Sequence, residues 1–537
     1  MRHRLHALAL SLALLAAGTA FAASRQLVLA PGNPNVTVNG QPAVFQNPPV
    51  ARGSAVLVPL TETLNLLSLP AVDVHDAPID ETGATTVNGQ LYVDLRWLAS
   101  ATGSTLDPSR DGRAFTLTAP LVNNADPTAP QARFAPEKGV YAPGEKVTLV
   151  DYSFDPEGQA VTKREWSGRQ DAYYQPGEYV VSLKVTNAAG KVSPPYSRTI
   201  RVQGAPVATP LTYALRNTGL NEAFNDPLVL GYPALAPRVN TVEQNFPLLF
   251  SDSPEKPAAP GVLYRDTVSG RARLLAYHVN GLGAPARVYV VARNLEDRPV
   301  TVRSVRAGET APSKTEGTLG QVALLDFLTS EATPQLTVES GRLVTLYSSP
   351  VLTPGAGANF MQDVETDGRV ELSFVILPAD TNMSVPLVAA LPVLPLDGQH
   401  QRGTFPGAVR RLSVTLGQLP ARLNIGDGQN DRALSGTDVI TGTPMKLLGN
   451  YGVLYEVQVT NAAGAVVALA PRGGAYRGAL RLTDGPDAST MRVPRSGVLT
   501  KPDVPQLLWR ARSDVLNLSF VPANGSNLPV SLVFYRP

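Results

Sequence analysis

The chain contains no cysteine. That excludes disulfides, thiolate nucleophiles and cysteine-ligated metals. Histidine is nearly as scarce: of five in all, His3 and His6 sit in the N-terminal stretch, which leaves His75, His278 and His400. These three fall in different segments, with no His-x-His pair, so a triad or an imidazole-rich metal centre has little to draw on. Aromatic residues make up only 6%. Charge of one sign is also missing: 46 Lys and Arg face 44 Asp and Glu, and loss of Arg2 and Arg4 with the leader brings the balance to zero. Without a basic stripe, nucleic-acid binding has no electrostatic footing. No Gly-x-Ser-x-Gly elbow and no P-loop occur, and Gly281-Leu282-Gly283 does not open a helix, so it is no dinucleotide fingerprint.

Long hydrophobic runs are absent except for one. Arg2, His3 and Arg4 precede the apolar stretch Leu8 to Ala17, and Ala20-Phe21-Ala22 supplies small residues at the −3 and −1 positions. The run is shorter than the roughly 20 residues that a membrane span needs. It reads as a secretory leader over residues 1–22, cut after Ala22, with no transmembrane segment left after cleavage. The expected location is the outside of the cell, the periplasm or the cell envelope of a bacterium.

What is present in quantity is turn material and short apolar runs. The 537 residues include 48 Pro and 45 Gly, with 43% apolar and 17% charged residues. That supports several domains, real cores and many short strands. From Val87 the sequence reads VNGQLYVDLRWLASATG. Asn88-Gly89 suits a type I′ turn. Leu91, Val93 and Leu95 then alternate as in a half-buried strand, after which Leu95, Leu98 and Ala99 share a helical face that Gly103 ends. A similar order occurs upstream: Val38-Asn39-Gly40, then Val56 to Leu60, then a short helix from Thr61 to Leu67. A hairpin over Val36 to Val44 precedes these units, and Phe115 to Leu117 closes them as a strand. The duplicated pattern over residues 25–120 resembles the copper amine oxidase N-terminal-like domain, also called the stalk domain. The resemblance implies a small, non-catalytic α+β appendage of exported proteins.

Pro120 to Pro130 is a proline-punctuated linker. Residues 131–204 then read as a small β-sandwich. Lys146 to Leu149 and Tyr179 to Thr186 alternate, Asn187 to Gly190 form a turn, and Ser197 to Val202 form a last strand. The run PGEYVVSLKVTNAAGKVS resembles a PKD or other immunoglobulin-like module, with Trp166 as the core tryptophan. The family's Trp-Asp-Phe-Gly-Asp-Gly stretch is replaced by Glu165-Trp166-Ser167-Gly168. From Pro210 to Pro537 everything reads as strand and turn, including Arg271 to His278, Ala286 to Arg293, Val300 to Val305, Leu336 to Leu346 and Arg369 to Leu377. About 330 residues exceed one sandwich, so two β-sandwich lobes are expected over 210–390 and 400–537, with a boundary near 385–405. This half resembles uncharacterised C-terminal regions that follow stalk domains in other exported bacterial proteins. The expected fold class is mainly β: a small α+β domain, one immunoglobulin-like sandwich and two sandwich lobes.

Candidate chemistry is thin. Copper oxidase activity needs three histidines and a tyrosine in an Asn-Tyr-Asp/Glu setting, whereas Asn450-Tyr451 is followed by Gly452. Calcium is the better metal candidate: Asp151, Asp155 and Glu157 share one loop, and Asp427 and Asp431 share another. Ca²⁺ takes six to eight oxygens, which Gly-containing loops can converge, but Asp-Pro and Asp-Gly are also ordinary turn chemistry. No cofactor is otherwise expected. Trp97, Trp509 and the pair Tyr173-Tyr174 are candidate sugar platforms. Core packing competes for the two tryptophans, and the tyrosines are expected to be exposed in a loop. The leading expectation is an exported structural or binding protein that contacts an envelope protein or a glycan. The alternative is a polysaccharide hydrolase with two carboxylates in the C-terminal half. A copper oxidase is the remote third.

Overall fold

The computed structural model describes residues 24–69, 72, 74, 82–120, 128–239, 246–252, 256–331 and 335–537. The expected leader over residues 1–22, His75 and most of the expected linker over Pro120 to Pro130 lie outside the described residues. The chain is mainly β, and it divides into two compact units, residues 1–210 and 211–537.

In the first unit both strand-then-helix segments form as the pattern requires. Strand Ala55–Pro59 runs straight into helix Leu60–Leu67, and strand Gln90–Asp94 into helix Leu95–Ala101. Asp94 marks the second changeover, its carboxylate accepting from the Arg96 N–H at 2.7 Å and the Trp97 N–H at 3.3 Å, which satisfies two of the helix's orphan donors. The Asn-Gly turns adopt the left-handed pair that a tight hairpin demands: φ is 51° and 79° at Asn39 and Gly40, and 49° and 78° at Asn88 and Gly89. A five-stranded sheet with Ser24–Leu29 at its centre and a four-stranded sheet with Ala55–Pro59 and Gln90–Asp94 at its centre enclose Leu27, Val58, Leu64, Val93, Leu98 and Leu117.

Residues 131–204 form two small antiparallel sheets. Strands Val161–Ser167, Gly177–Asn187 and Tyr196–Val202 make one, and Phe134–Pro136 with Leu149–Asp151 the other. Trp166, Leu183 and Tyr196 sit in register across the first sheet, and the Phe134 ring packs edge-on against Trp166 at 4.9 Å and Tyr196 at 5.6 Å. The expected strand at Lys146 starts only at Leu149, because Val147 N–H bonds to Asp171 O and leaves no ladder partner there.

The second unit is built on two long antiparallel strands, Gly261–Val279 and Gly357–Pro378, paired from Gly261↔Ile376 to Val279↔Gly357. On its other edge Gly357–Pro378 takes Ala286–Asn294 along one half and Val300–Glu309 along the other. The result is a ten-stranded sheet. A six-stranded sheet containing Val409–Thr415, Leu454–Thr460 and Val515–Phe520 faces a four-stranded sheet containing Val466–Pro471 and Val530–Tyr535. Leu412, Val457 and Leu518 of the former share a core with Val467, Leu532 and Phe534 of the latter, which makes a β-sandwich.

Three features depart from the sequence reading. First, residues 210–537 are not all strand and turn: helices Pro210–Asn217, Glu316–Thr329 and Val385–Ala390 interrupt them. Helix Glu316–Thr329 packs against strands of both the ten-stranded and the six-stranded sheet, with Leu319, Ala323, Leu324, Phe327 and Leu328 buried. Second, the 385–405 boundary is crossed. Strands Arg402–Pro406, Leu434–Asp438 and Thr443–Leu447 extend the ten-stranded sheet, and Phe246, Leu248 and Phe250 belong to the sandwich core. Third, Leu336 to Leu346 is two strands, Gln335–Val338 and Leu343–Ser348, split by a turn closed by Arg342 N–H to Glu339 O.

Both edges of the second unit's four-stranded sheet are partly covered. The segment after helix Pro210–Asn217 runs along strand Gln506–Arg510 through Asn221 N–H to Leu507 O, Leu507 N–H to Glu222 O and Phe224 N–H to Pro505 O. It then reaches the opposite edge, where Leu235 N–H bonds to Arg422 O and Arg422 N–H to Pro233 O. This strap blunts both edges against intermolecular pairing.

Candidate functional site

The calcium candidates are occupied by protein donors. Asp155 accepts from the backbone N–H groups of Glu157 at 2.9 Å and Gln159 at 3.1 Å, and from the Asn187 amide at 2.9 Å. Asp151 accepts from Ser153 N–H and pairs with Arg164, while Glu157 pairs with Lys191 at 3.4 Å. In the second loop Asp427 accepts from Gln429 N–H and Asp431 N–H. Asp431 pairs with Arg410 and accepts from Tyr455 Oη at 2.6 Å and Gly426 N–H at 2.7 Å. Both loops are built by the turn chemistry of Asp itself. Among the described residues no group of three His, Asp or Glu stands close enough to hold a metal ion.

The two described histidines are both engaged. His278 is fully buried in strand Gly261–Val279, with Nε2 3.1 Å from Ser251 Oγ, and His400 pairs with Asp397. Asn450 and Tyr451 are structural: the Asn450 amide donates to Tyr455 Oη and Arg432 O, and Tyr451 Oη donates to Ser526 O.

The aromatic candidates pack inward. Trp509 is buried and donates Nε1–H to Asp484 at 2.9 Å; Trp97 is half-buried against the core of residues 25–120. The expectation that Tyr173-Tyr174 is exposed fails. Tyr173 is buried and stacks on Tyr179 with centroids 4.3 Å apart, and Tyr174 is half-buried. The loop folds back because Tyr173 Oη donates to Gly168 O at 2.7 Å.

Buried carboxylates are tied into cross-sheet networks. Asp363 accepts from Arg273 Nε at 2.6 Å and Nη2 at 3.0 Å, and from Arg271 Nη2 at 3.0 Å. Burial pushes this carboxyl up, but the two guanidinium groups outweigh it and hold the group below the usual carboxylate range. Asp438 pairs with the buried Arg402 at 3.1 Å. Burial likewise raises Asp484, yet the bonds from Trp509, Arg512 N–H and Ser513 N–H bring it down to about 2. Tyr455 is pushed well up by burial and by the adjacent Asp431 charge. Asp363 and Asp484 are both held on the ionised side, away from the neutrality at which a general acid works.

Two cavities stand out among the described residues. The smaller, about 170 Å³, lies within the first unit between helix Leu60–Leu67 and the Tyr173–Tyr179 stack. Its one lining carboxylate, Glu178, accepts from Thr61 Oγ1 at 2.6 Å and pairs with Arg201 at 3.1 Å. The larger, about 350 Å³, lies in the second unit where the strap passes the start of strand Gln506–Arg510 and the loop over residues 494–504. Arg495, Ser496, Thr500 and Lys501 are exposed on it, and Leu499 and Gln506 are buried beside it. No carboxylate lines it. The loop is held by paired backbone bonds between Leu499 and Tyr476 and by Arg477 Nε to Gly497 O at 2.9 Å. Gln506 Nε2 donates to Asn221 O at 2.8 Å across 285 positions of sequence. Sequence reading missed this site, since neither Arg495 nor Lys501 belongs to a charge run and Asn221 has no local relation to Gln506.

No family model matches the chain, and no curated protein matches it. Among solved structures it is similar to a carbohydrate-binding module of the β-sandwich superfamily, at 16% identity and a TM-score of 0.13, over 47% of this chain and 97% of that one. It is also similar to the PBSX exported protein XepA, at 12% identity and a TM-score of 0.13, over 51% of this chain and 86% of that one. A third likeness is to vicilin from tomato, at 8% identity and a TM-score of 0.12, over 59% and 85%. Scores of this size leave the architecture to be read from the chain's own sheets.

Proposed function

We propose that this chain is an exported protein of the bacterial cell envelope that binds and presents, and that its C-terminal unit makes the contact with an envelope glycan or protein. The leader, the modular order of small β-rich domains and the resemblance of residues 25–120 to a stalk domain support export and display. The observation that carries the binding reading is the character of the 350 Å³ cavity: it presents cations, hydroxyls and amides on a pinned backbone, with no carboxylate on its lining. Two-carboxylate hydrolysis needs a pair of acids about 5 to 9.5 Å apart flanking the bond to be cut. Donors held in place on a rigid frame suit retention of a ligand instead.

The test is in two parts. Cell fractionation places the protein, and the purified mature chain is applied to an array of envelope polysaccharides and incubated in solution with the same polysaccharides. Retention without new reducing ends is expected. Release of reducing ends, or a chain found only in the cytoplasm, would overturn the proposal.

A further inference from the structure

We infer that the cavity beside strand Gln506–Arg510 takes one acidic sugar unit, a hexuronate-sized ring bearing a carboxylate. This rests on the binding reading above and names the ligand class. Arg495 and Lys501 both line the cavity from one loop, and neither forms an ion pair with another described residue. With no acid on the lining to neutralise them, two exposed cations on one rim set up a positive field that draws an anionic group. A bare oxyanion would use only that rim. The rest of the lining asks for more: Ser496 and Thr500 offer hydroxyls that both donate and accept, and Gln506, its Nε2 already committed to Asn221, keeps Oε1 as an acceptor. Leu499 and Val504 form an aliphatic wall suited to the C–H face of a pyranose. A single ring fits, because about 350 Å³ lies within the roughly 300–1,000 Å³ usual for ligand sites.

The experiment is calorimetric titration of the full mature chain with D-glucuronate, D-glucose and inorganic phosphate. D-glucuronate should bind, D-glucose should bind at least about tenfold more weakly, and phosphate should not displace the uronate. Raising salt from about 0.05 to 0.5 M should weaken uronate binding, because the rim is exposed to screening. The double variant Arg495→Gln/Lys501→Gln should lose at least about tenfold, and the charge-keeping double variant Arg495→Lys/Lys501→Arg should retain most of the affinity. Both side chains are exposed, so folding is not at stake. D-glucose or phosphate binding as tightly as D-glucuronate, or a neutral double variant that binds like the parent, would overturn the inference. Failure of D-glucuronate alone, with retention on the polysaccharide array intact, refutes the ligand class and leaves the binding reading standing; failure of both refutes both.

Discussion

Removing the Asp363 carboxylate tests the idea that buried charge organises the second unit. Arg273 is fully buried, and its guanidinium spends Nε and Nη2 on Asp363 and Nη1 on the carbonyls of Ala408 at 2.7 Å and Gly452 at 3.0 Å. It therefore ties the ten-stranded sheet to the starts of Val409–Thr415 and Leu454–Thr460, neighbouring strands of the six-stranded sheet. In Asp363→Ala the fully buried Arg273 Nε and Nη2 lose their acceptor, whereas Arg271 is partly exposed to solvent. At about 1–3 kcal/mol for each stranded group, the expected cost is about 3–5 kcal/mol, the range known for breaking one side of a buried pair. In Arg273→Met the carboxylate keeps Arg271, which is partly solvated, but Gly452 O loses the guanidinium and Ala408 O keeps only Leu454 N–H, so about 2–4 kcal/mol is expected. The double variant Arg273→Met/Asp363→Leu should cost less than either single one, because the thioether packs against Phe246 and Phe327, whose rings already flank the guanidinium at 5.7 and 5.0 Å. Urea unfolding read by Trp509 fluorescence, with Trp97 and Trp166 replaced by Phe, reports the second unit. Single-variant losses below about 1 kcal/mol, or losses that simply add in the double variant, would refute the reasoning.

Asp484 gives a pH test. Its folded value of about 2 lies below the unfolded value near 3.9, so its contribution is complete above about pH 5 and is lost as pH falls toward 2. Asp484→Asn should flatten that acid limb by about 1 kcal/mol between pH 7 and pH 3, seen as a smaller drop in the Trp509 unfolding temperature over that range. An unchanged limb would refute the assignment. Gly320→Ala separates propensity from packing. Helix propensity alone predicts a gain of about 1 kcal/mol, but the new Cβ would stand 2.0 Å from Asn524 O, so a net loss of about 1–3 kcal/mol is expected in the same assay. Gly89→Ala meets no atom within 4 Å and pays only for φ of 78°, so about 1–2 kcal/mol is expected from thermal unfolding of the first unit followed by Trp97 fluorescence.

What was legible in the sequence is what local chemistry decides. The Asn-Gly turns, the switch from alternation to a helical face after Leu95, the long strand through Tyr179 to Thr186 and the turn-forming Asp loops all follow from neighbours within a few positions. Helix Glu316–Thr329 was illegible because it is buried among strands of two sheets. Leu319, Ala323, Leu324, Phe327 and Leu328 surround much of it, and with Gly320 and Gln321 also inward no polar stripe remains to mark a surface helix. Gln321 can be buried only because its amide donates to Gly478 O at 2.9 Å, a partner no local pattern announces. The lobes were legible in kind but not in extent, because strands after residue 400 join a sheet begun before residue 300. The cavity failed for the same reason, since it is assembled from a strap and a loop that meet only in the folded unit.

The absence of cysteine and the placement of buried charge belong to one argument. A unit whose sheets exchange strands over hundreds of residues must select one register, and alternating apolar strands tolerate slips poorly but do not name their partners. Arg273, Arg402 and Arg410 each pair with an Asp and also donate to backbone carbonyls: Ala408 and Gly452, Leu263 and Leu394, and Arg432 respectively. A shifted strand would strand a guanidinium as well as expose apolar side chains, so these networks penalise wrong pairings more than they strengthen the right one. That use of acid has a functional corollary. Asp363, Asp431 and Asp438 cannot leave their arginines to serve a substrate without stranding a buried charge, whereas Arg495 and Lys501 have no such commitment among the described residues. The charges this unit can turn outward at the 350 Å³ cavity are positive, and a partner that meets it there must bring the negative charge itself.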